Sequence, residues 1–145
     1  MHVYLGADHR GFNLKNEVAG WLAAEQLDFT DMGAMELDLN DDYDDYVKKV
    51  VRAMLMEPEG AYGILICGSG QGVCMQANRY KGIRAAYCRS AAEAEETRSH
   101  NDANVLCLAA DDEAVDYKGV IGAFLETKLL DSEKYARRNR KLDEE

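Results

Sequence analysis

The chain is poor in proline, in basic charge and in paired cysteine motifs, and each shortage removes a class of protein. Its 145 residues include one proline, Pro58, and no long linker or repeat of domain size interrupts them. They read as a single domain over 1–145, long enough to bury a real core. Lys and Arg total 17 against 27 Asp and Glu, a net charge of −10. That balance argues against nucleic acid, whose phosphates need a basic footprint. It still allows a small anionic ligand held by a local basic cluster. The four cysteines Cys67, Cys74, Cys88 and Cys107 form no C-x-x-C pair and have no His/Cys ligand spacing, so a structural zinc is not expected. Cys67, Cys88 and Cys107 lie in or end apolar runs, as buried free thiols do, and a reducing cytoplasm is the expected compartment. No apolar run reaches membrane-spanning length. "MHVYLGAD" reads as a strand from the first residue, leaving no room for a signal peptide.

What is present is a rhythm. Apolar residues make up 47% and charged residues 30%, the balance of a globular protein. The strand-like runs "HVYLGA", "DFTDMG", "YGILICG", "IRAAYC" and "NVLCLAA" alternate with helix-like stretches at 11–25, 43–56, 72–80, 91–99 and 112–128. In the first of these, Phe12, Leu14, Val18, Trp21 and Leu22 mark one apolar face near a 3.6-residue period. Five strands alternating with helices predict an α/β protein, a three-layer α/β/α Rossmann-like domain with a five-stranded parallel sheet. The acidic run "LDLNDDYDDY" reads as a solvated loop entering a helix rather than as a metal site. The charged tail at about 131–145 reads as a final basic helix.

Ligands of open parallel sheets bind at the carboxyl ends of the strands. The first strand ends in "GADHRG", with Asp8 and His9, and the third ends in "CGSGQG". "SHNDAN", with His100 and Asn101, stands just before the fifth strand. Convergence of two histidines, a thiol and a glycine loop is therefore expected, while His2 reads as a surface residue. The loop is not G-x-G-x-x-G, lacks the G-K-[ST] of a phosphate-binding P-loop, and carries Val73 where a tyrosine-phosphatase loop needs arginine. Its glycines let the backbone turn sharply and approach a ligand, and successive N–H groups make a concavity for negative charge. A free thiol has a pKa of roughly 8.5, and one beside a helix N-terminus and aligned amides ionises more readily. Cys67 is therefore a candidate base. Aldose–ketose exchange fits such a site: it needs a base at carbon, a cradle for the enediolate oxygen and a group that opens the sugar ring.

"GADHRGFNLK", "ILICGSGQGVCMQANRYKGIRAA" and "SHNDANVL" together resemble ribose-5-phosphate isomerase type B, in the family shared with the galactose-6-phosphate isomerase subunits. The resemblance runs in order along nearly the whole chain. It implies a cofactor-free and metal-free sugar-phosphate isomerase, a homodimer or dimer of dimers with active sites between subunits. It implies that Cys67 moves the C2 proton and that Ser69 and the amides of Gly68, Gly70, Gln71 and Gly72 hold the enediolate. His100 opens the furanose ring, Asp8 and Asn101 bind hydroxyls, and His9 helps bind the phosphate end. Some relatives use a glutamate at the place of Val73 as base; here that place is apolar. Two further departures concern the phosphate. Asp111 stands where relatives carry an arginine, and the two arginines of their final helix correspond to Lys134 and Arg138, with Arg137 as the neighbouring alternative. The four-residue spacing puts Lys134 and Arg138 on one helix face. The default substrate is ribose 5-phosphate. The alternatives are a tetrose, allose or galactose phosphate, or a non-catalytic sugar-phosphate-binding subunit.

Overall fold

The alternation of apolar runs folds into one twisted layer between two layers of helices. The structure, a computed structural model, describes residues 1–144. In chain order the elements are β1 (His2–Ala7), α1 (Phe12–Ala24), β2 (Phe29–Asp31), α2 (Tyr43–Met56), β3 (Ala61–Cys67), α3 (Gln71–Ala77), β4 (Ala85–Tyr87), α4 (Ala91–Asn101), β5 (Val105–Ala109), α5 (Tyr117–Glu126) and α6 (Glu133–Glu144). The strands pair in the order β2-β1-β3-β5-β4, every pair parallel. The expected three-layer α/β/α arrangement is the one observed.

Side chains of successive strand residues point to opposite faces, and both faces here are buried, which is why the strands read as continuous apolar runs. Val3 and Leu5, Ile64 and Ile66, and Leu106 and Leu108 pack beneath α1, α4 and α5 against Val18, Leu22, Ala94, Ile121 and Phe124. Leu65, Cys67, Val105 and Cys107 face the other way, against Val47, Val50, Val51 and Met54 of α2 and Val73 and Ala77 of α3. The helix after β1 thus covers one face and the helix after β3 the other. Those two strands are neighbours, with Ala7 opposite Ile66, and the connections from their carboxyl ends run to opposite faces, the topological switch point at which such sheets bind ligands.

Several helix boundaries differ from the sequence reading, the third helix for example ending at Ala77 rather than near 80, and at two of them side chains explain the difference. The fifth helix begins at Tyr117 rather than near 112, because Asp112 Oδ1 accepts the Ala114 N–H (3.3 Å) in a turn and Asp116 caps the helix by accepting from the Gly119 N–H (3.1 Å). The fourth runs on to Asn101, so His100 and Asn101 occupy its last turn. Arg98, 4% exposed, fastens that end by donating to Asp102 Oδ1 (2.6 Å) and to the carbonyls of Ala103 and Thr127. The basic tail is helical from Glu133, and α6 is pinned by Arg84, whose guanidinium grips both carboxylate oxygens of Asp143 (2.9 and 2.7 Å). Among the described residues no helix is long and apolar enough to cross a membrane.

Candidate functional site

Cys67 is the last residue of β3 and 5% exposed. The chain turns back on its sulfur: the Gly70 N–H donates to Cys67 Sγ at 3.1 Å. Gly70 adopts φ +72°, and a Cβ there would lie 2.7 Å from the Tyr87 ring, so the turn needs glycine for both backbone and space. Ser69 is exposed and its Oγ accepts the Gln71 N–H at 3.3 Å. Two of the loop amides expected to face a ligand therefore already have partners within the loop, one the thiol and one the hydroxyl. Val73, 1% exposed, packs into the core, as its apolar character requires.

Asp8 and His9 follow β1 directly and stand beside the thiol loop, since Ala7 pairs with Ile66, the residue before Cys67. Asp8 is buried and its Oδ1 accepts the N–H groups of Arg10 and Gly11, both at 3.1 Å, which sets the turn into α1. His9 is held from an unexpected direction. Asp41 lies in the acidic run read as a solvated loop, yet its side chain is 7% exposed, and its Oδ1 accepts both the His9 N–H (2.9 Å) and the His9 ring Nδ1–H (2.7 Å). The reading of that run is corrected at this residue: one carboxylate has been folded inward to orient an imidazole. Tyr46 stands beside the same carboxylate, its phenol pushed up to about 12 by burial and then by Asp41. Tyr43 lays its ring against Gly72.

The Asp41 hydrogen bond raises the His9 pKa from its ordinary 6.5. Burial works against ionisation of Asp41, but the His9 amide and ring outweigh it and hold its carboxyl below the ordinary range. A raised histidine contributes stability that is complete below about 6.5 and is lost as pH climbs through the higher folded-state value. Asp41→Asn keeps the shape and removes the charge, so the His9 ring is expected to lose its proton at lower pH than in the parent chain. Titration of the His9 ring nitrogens by NMR reads this directly; an identical midpoint in both proteins would exclude Asp41 as the source.

The remaining thiols differ from Cys67 in place. Cys107 is wholly buried, and burial drives its pKa far up. Burial, then Glu93 and Cys74, push Cys88 to about 12. Both are neutral core thiols. Cys74 is drawn down to about 7 by the hydrogen bond from Cys107, against its burial. It lies beside Ala85 at the opening of β4, not at the carboxyl end of β3.

His100 and Asn101 are elsewhere. They end α4, just before the amino end of β5, whereas Cys67 is paired with Ala109 at the carboxyl end of the same strand. Four strand steps separate those ends, about 13 Å. The expected convergence of thiol and second histidine therefore does not occur within one chain. His100 instead stacks on Tyr135 of α6, with ring centroids 4.5 Å apart and planes 11° from parallel, and its carbonyl accepts from Asn139 Nδ2 at 3.3 Å. Lys134 and Arg138 are exposed on this same helix, and the Lys134 ammonium lies over the Tyr135 ring at 5.3 Å. The candidate residues thus fall into two groups, each a candidate half-site. A thiol, a carboxylate, an imidazole and a glycine loop stand at one end of the sheet; an imidazole, an amide and a pair of cations stand at the other.

One participant at the thiol end was not singled out from sequence. Arg10 lies across Gly68, so closely that a Cβ there would meet its Nε at 2.5 Å and Cζ at 2.6 Å. Its Nη2 is paired with Asp111 Oδ2. The only sequence signal was its place inside "GADHRG"; the partner is 101 residues away.

A family model for the Ribose/Galactose Isomerase family matches residues 3–142. The chain is 45% identical over 108 residues to a probable ribose-5-phosphate isomerase B of Mycoplasma pneumoniae, covering 74% of this chain and 70% of that protein. A 4-deoxy-4-sulfo-D-erythrose isomerase of a Clostridium species is 35% identical over 108 residues, 74% of this chain and 67% of its own length. The crystal structure of ribose-5-phosphate isomerase B from Mycoplasma genitalium with bound ribulose-5-phosphate aligns with a TM-score of 0.92 at 33% identity, covering 99% of this chain and 94% of that one.

Proposed function

The chain belongs to the ribose/galactose isomerase family, and from that premise we propose that it interconverts the aldose and ketose forms of a phosphorylated sugar, with ribose 5-phosphate and ribulose 5-phosphate as the default pair. The observation that carries the reading is the Cys67 thiol at the end of β3, with the Gly70 amide turned onto its sulfur and Asp8 beside it, just past the end of the neighbouring strand β1. The step is redox-neutral. Cys67, as thiolate, takes the proton from C2 of the open-chain aldose, the C–H pair becomes the C1–C2 double bond, and the carbonyl pair moves to oxygen. The hydroxyl proton on O2 passes to O1, and the enediolate takes a proton back at C1 from the Cys67 thiol to give the ketose. Carbon 1 is reduced as carbon 2 is oxidised, so the reaction calls for no external oxidant or reductant.

Each residue has a task in this sequence. Gly70 stabilises charge on the sulfur, and the rest of the loop from Gly68 through Ser69 to Gly72 meets the enediolate oxygen. Asp8 and Asn101 take hydroxyls, His9 takes the anionic end, and His100 opens the ring. Because the two half-sites lie at opposite ends of the sheet, a complete site needs a second copy of the chain, placed so that its His100, Asn101, Lys134 and Arg138 approach the first copy's Cys67. A homodimer or dimer of dimers meets that condition. The same chemistry on a shorter sugar is the second reading, supported by the Asp111 carboxylate at the thiol end and by the likeness to the sulfo-tetrose isomerase.

The test is a panel of ribose 5-phosphate, erythrose 4-phosphate, allose 6-phosphate, galactose 6-phosphate and 4-deoxy-4-sulfoerythrose, followed by NMR for aldose–ketose exchange. Turnover of ribose 5-phosphate above the others supports the default. Preference for a four-carbon sugar moves the assignment to the second reading, and exchange of none overturns the isomerase.

A further inference from the structure

The thiol end holds a cation that the reading above does not use. Arg10 leaves the turn after β1, crosses Gly68 and meets Asp111 on the turn after β5. That second turn is fixed to the thiol loop by its backbone: the Ala110 N–H donates to the Cys67 carbonyl at 2.9 Å, and the Asp111 N–H to the Gly68 carbonyl at 3.0 Å. The pair is therefore held in register with the reacting thiol through two consecutive residues.

Its exposure argues that it serves something other than stability. The Arg10 side chain is 57% exposed and that of Asp111 49%, and pairs so open to water contribute little to folding. Of the neighbouring cations, Lys15 is buried on Asp31 and Arg89 is turned to Asp112. Arg10 gives one nitrogen to Asp111 and keeps further donors of its fork.

We propose that Arg10 and Asp111 form the thiol half's own subsite for the anionic end of the substrate, Arg10 binding the anion and Asp111 aiming the guanidinium and setting the charge it prefers. The proposal rests on the sugar isomerase reading and deepens it. A carboxylate adjoining the bound group repels a dianion about twice as strongly as a monoanion. Compared with an arginine alone, the Arg10–Asp111 pair accordingly gives a dianion less advantage over a monoanion, and a tetrahedral oxyanion of either source, phosphate or sulfonate, fits the chemistry. Lys134 and Arg138 of a second copy supply the charge that a full dianion needs, so the balance between the two cation sets decides which terminal group is preferred.

The experiment titrates the intact protein with inorganic phosphate and with methanesulfonate at about pH 8, where phosphate is mostly dianionic, by calorimetry. Arg10→Ala is expected to weaken both anions about tenfold, the loss of one charge-assisted hydrogen bond. Asp111→Asn is expected to shift the ratio of the two affinities roughly threefold toward phosphate, because only the difference in ligand charge feels the removed carboxylate. Thermal melts of both variants are expected to match the parent. Unchanged affinities in Arg10→Ala, or an unchanged ratio in Asp111→Asn, would overturn the subsite. Because the titration involves no turnover, it reads the subsite even if every sugar in the panel fails, and its failure leaves an observed isomerase activity standing.

Discussion

Cys67→Ser is expected to lower kcat by about a hundred- to ten-thousand-fold, the range spanned by general-base groups, with KM and thermal stability little changed. The substitution replaces sulfur by oxygen at a position 5% exposed whose backbone lies inside a parallel ladder, so shape and pairing persist. The Gly70 N–H that now points at sulfur finds a hydroxyl instead. What disappears is basicity, since an alcohol ionises far less readily than a thiol. The neighbouring groups are spoken for or apolar: Val73 is buried, Cys74 lies beside Ala85 at the opening of β4, Asp8 Oδ1 is taken by the Arg10 and Gly11 N–H groups, and His9 is held by Asp41. Cys88→Ala and Cys107→Ala serve as controls and are expected to keep most of the activity, because both thiols are neutral members of the core. Steady-state kinetics on the sugar that the panel identifies measures the effect. Near-parental kcat in Cys67→Ser would remove the thiol from the proton transfer.

The second large effect is a recovery. Cys67→Ser and His100→Ala are each expected to be nearly inactive alone. When the two are mixed under conditions that exchange subunits, activity is expected to return to about a quarter of the parental value: about half the dimers are mixed, and each of those has one site with both residues intact. The expectation follows from the separation of the half-sites. His100 lies at the amino end of β5 and Cys67 beside its carboxyl end, so one chain cannot bring both to one sugar, whereas a two-fold partner can. If His100 and Cys67 served the same site within one chain, the mixture would stay as inactive as its components. Activity assays of the exchanged mixture, with native mass spectrometry to count mixed dimers, settle the point.

The features legible in the sequence are those whose physics is local. "YGILICG" reads as a buried strand because both faces of a central parallel strand are covered, and it runs as β3 between β1 and β5. "CGSGQG" reads as a sharp turn because glycines at every second position serve little else; Gly70 in its left-handed conformation confirms the reading. The thiol at the junction follows from the same two facts. The acidic run before α2 was misread at one position for the opposite reason. Its composition is that of a solvated loop, and most of it is exposed, but Asp41 is selected by His9, 32 residues earlier, and nothing in the local pattern separates it from its acidic neighbours.

The amino-acid sequence by itself determined the alternation of strands and helices, the two-faced burial and the placing of Cys67 against a glycine turn. Side-chain period and backbone freedom are properties of a few consecutive residues. Tertiary structure alone decided which groups share an end of the sheet and which charges are paired. A helix that returns from one parallel strand to the next ends beside the start of that next strand, so residues that close a strand and residues that close a helix are carried to opposite edges. That reversal placed Cys67 and Asp8 together and His100 away from them. The ion pair of Arg10 with Asp111 arises the same way: two turns far apart in the chain meet only because β1, β3 and β5 lie side by side. Charge recognises distance in space, and the order of strands in the sheet sets that distance.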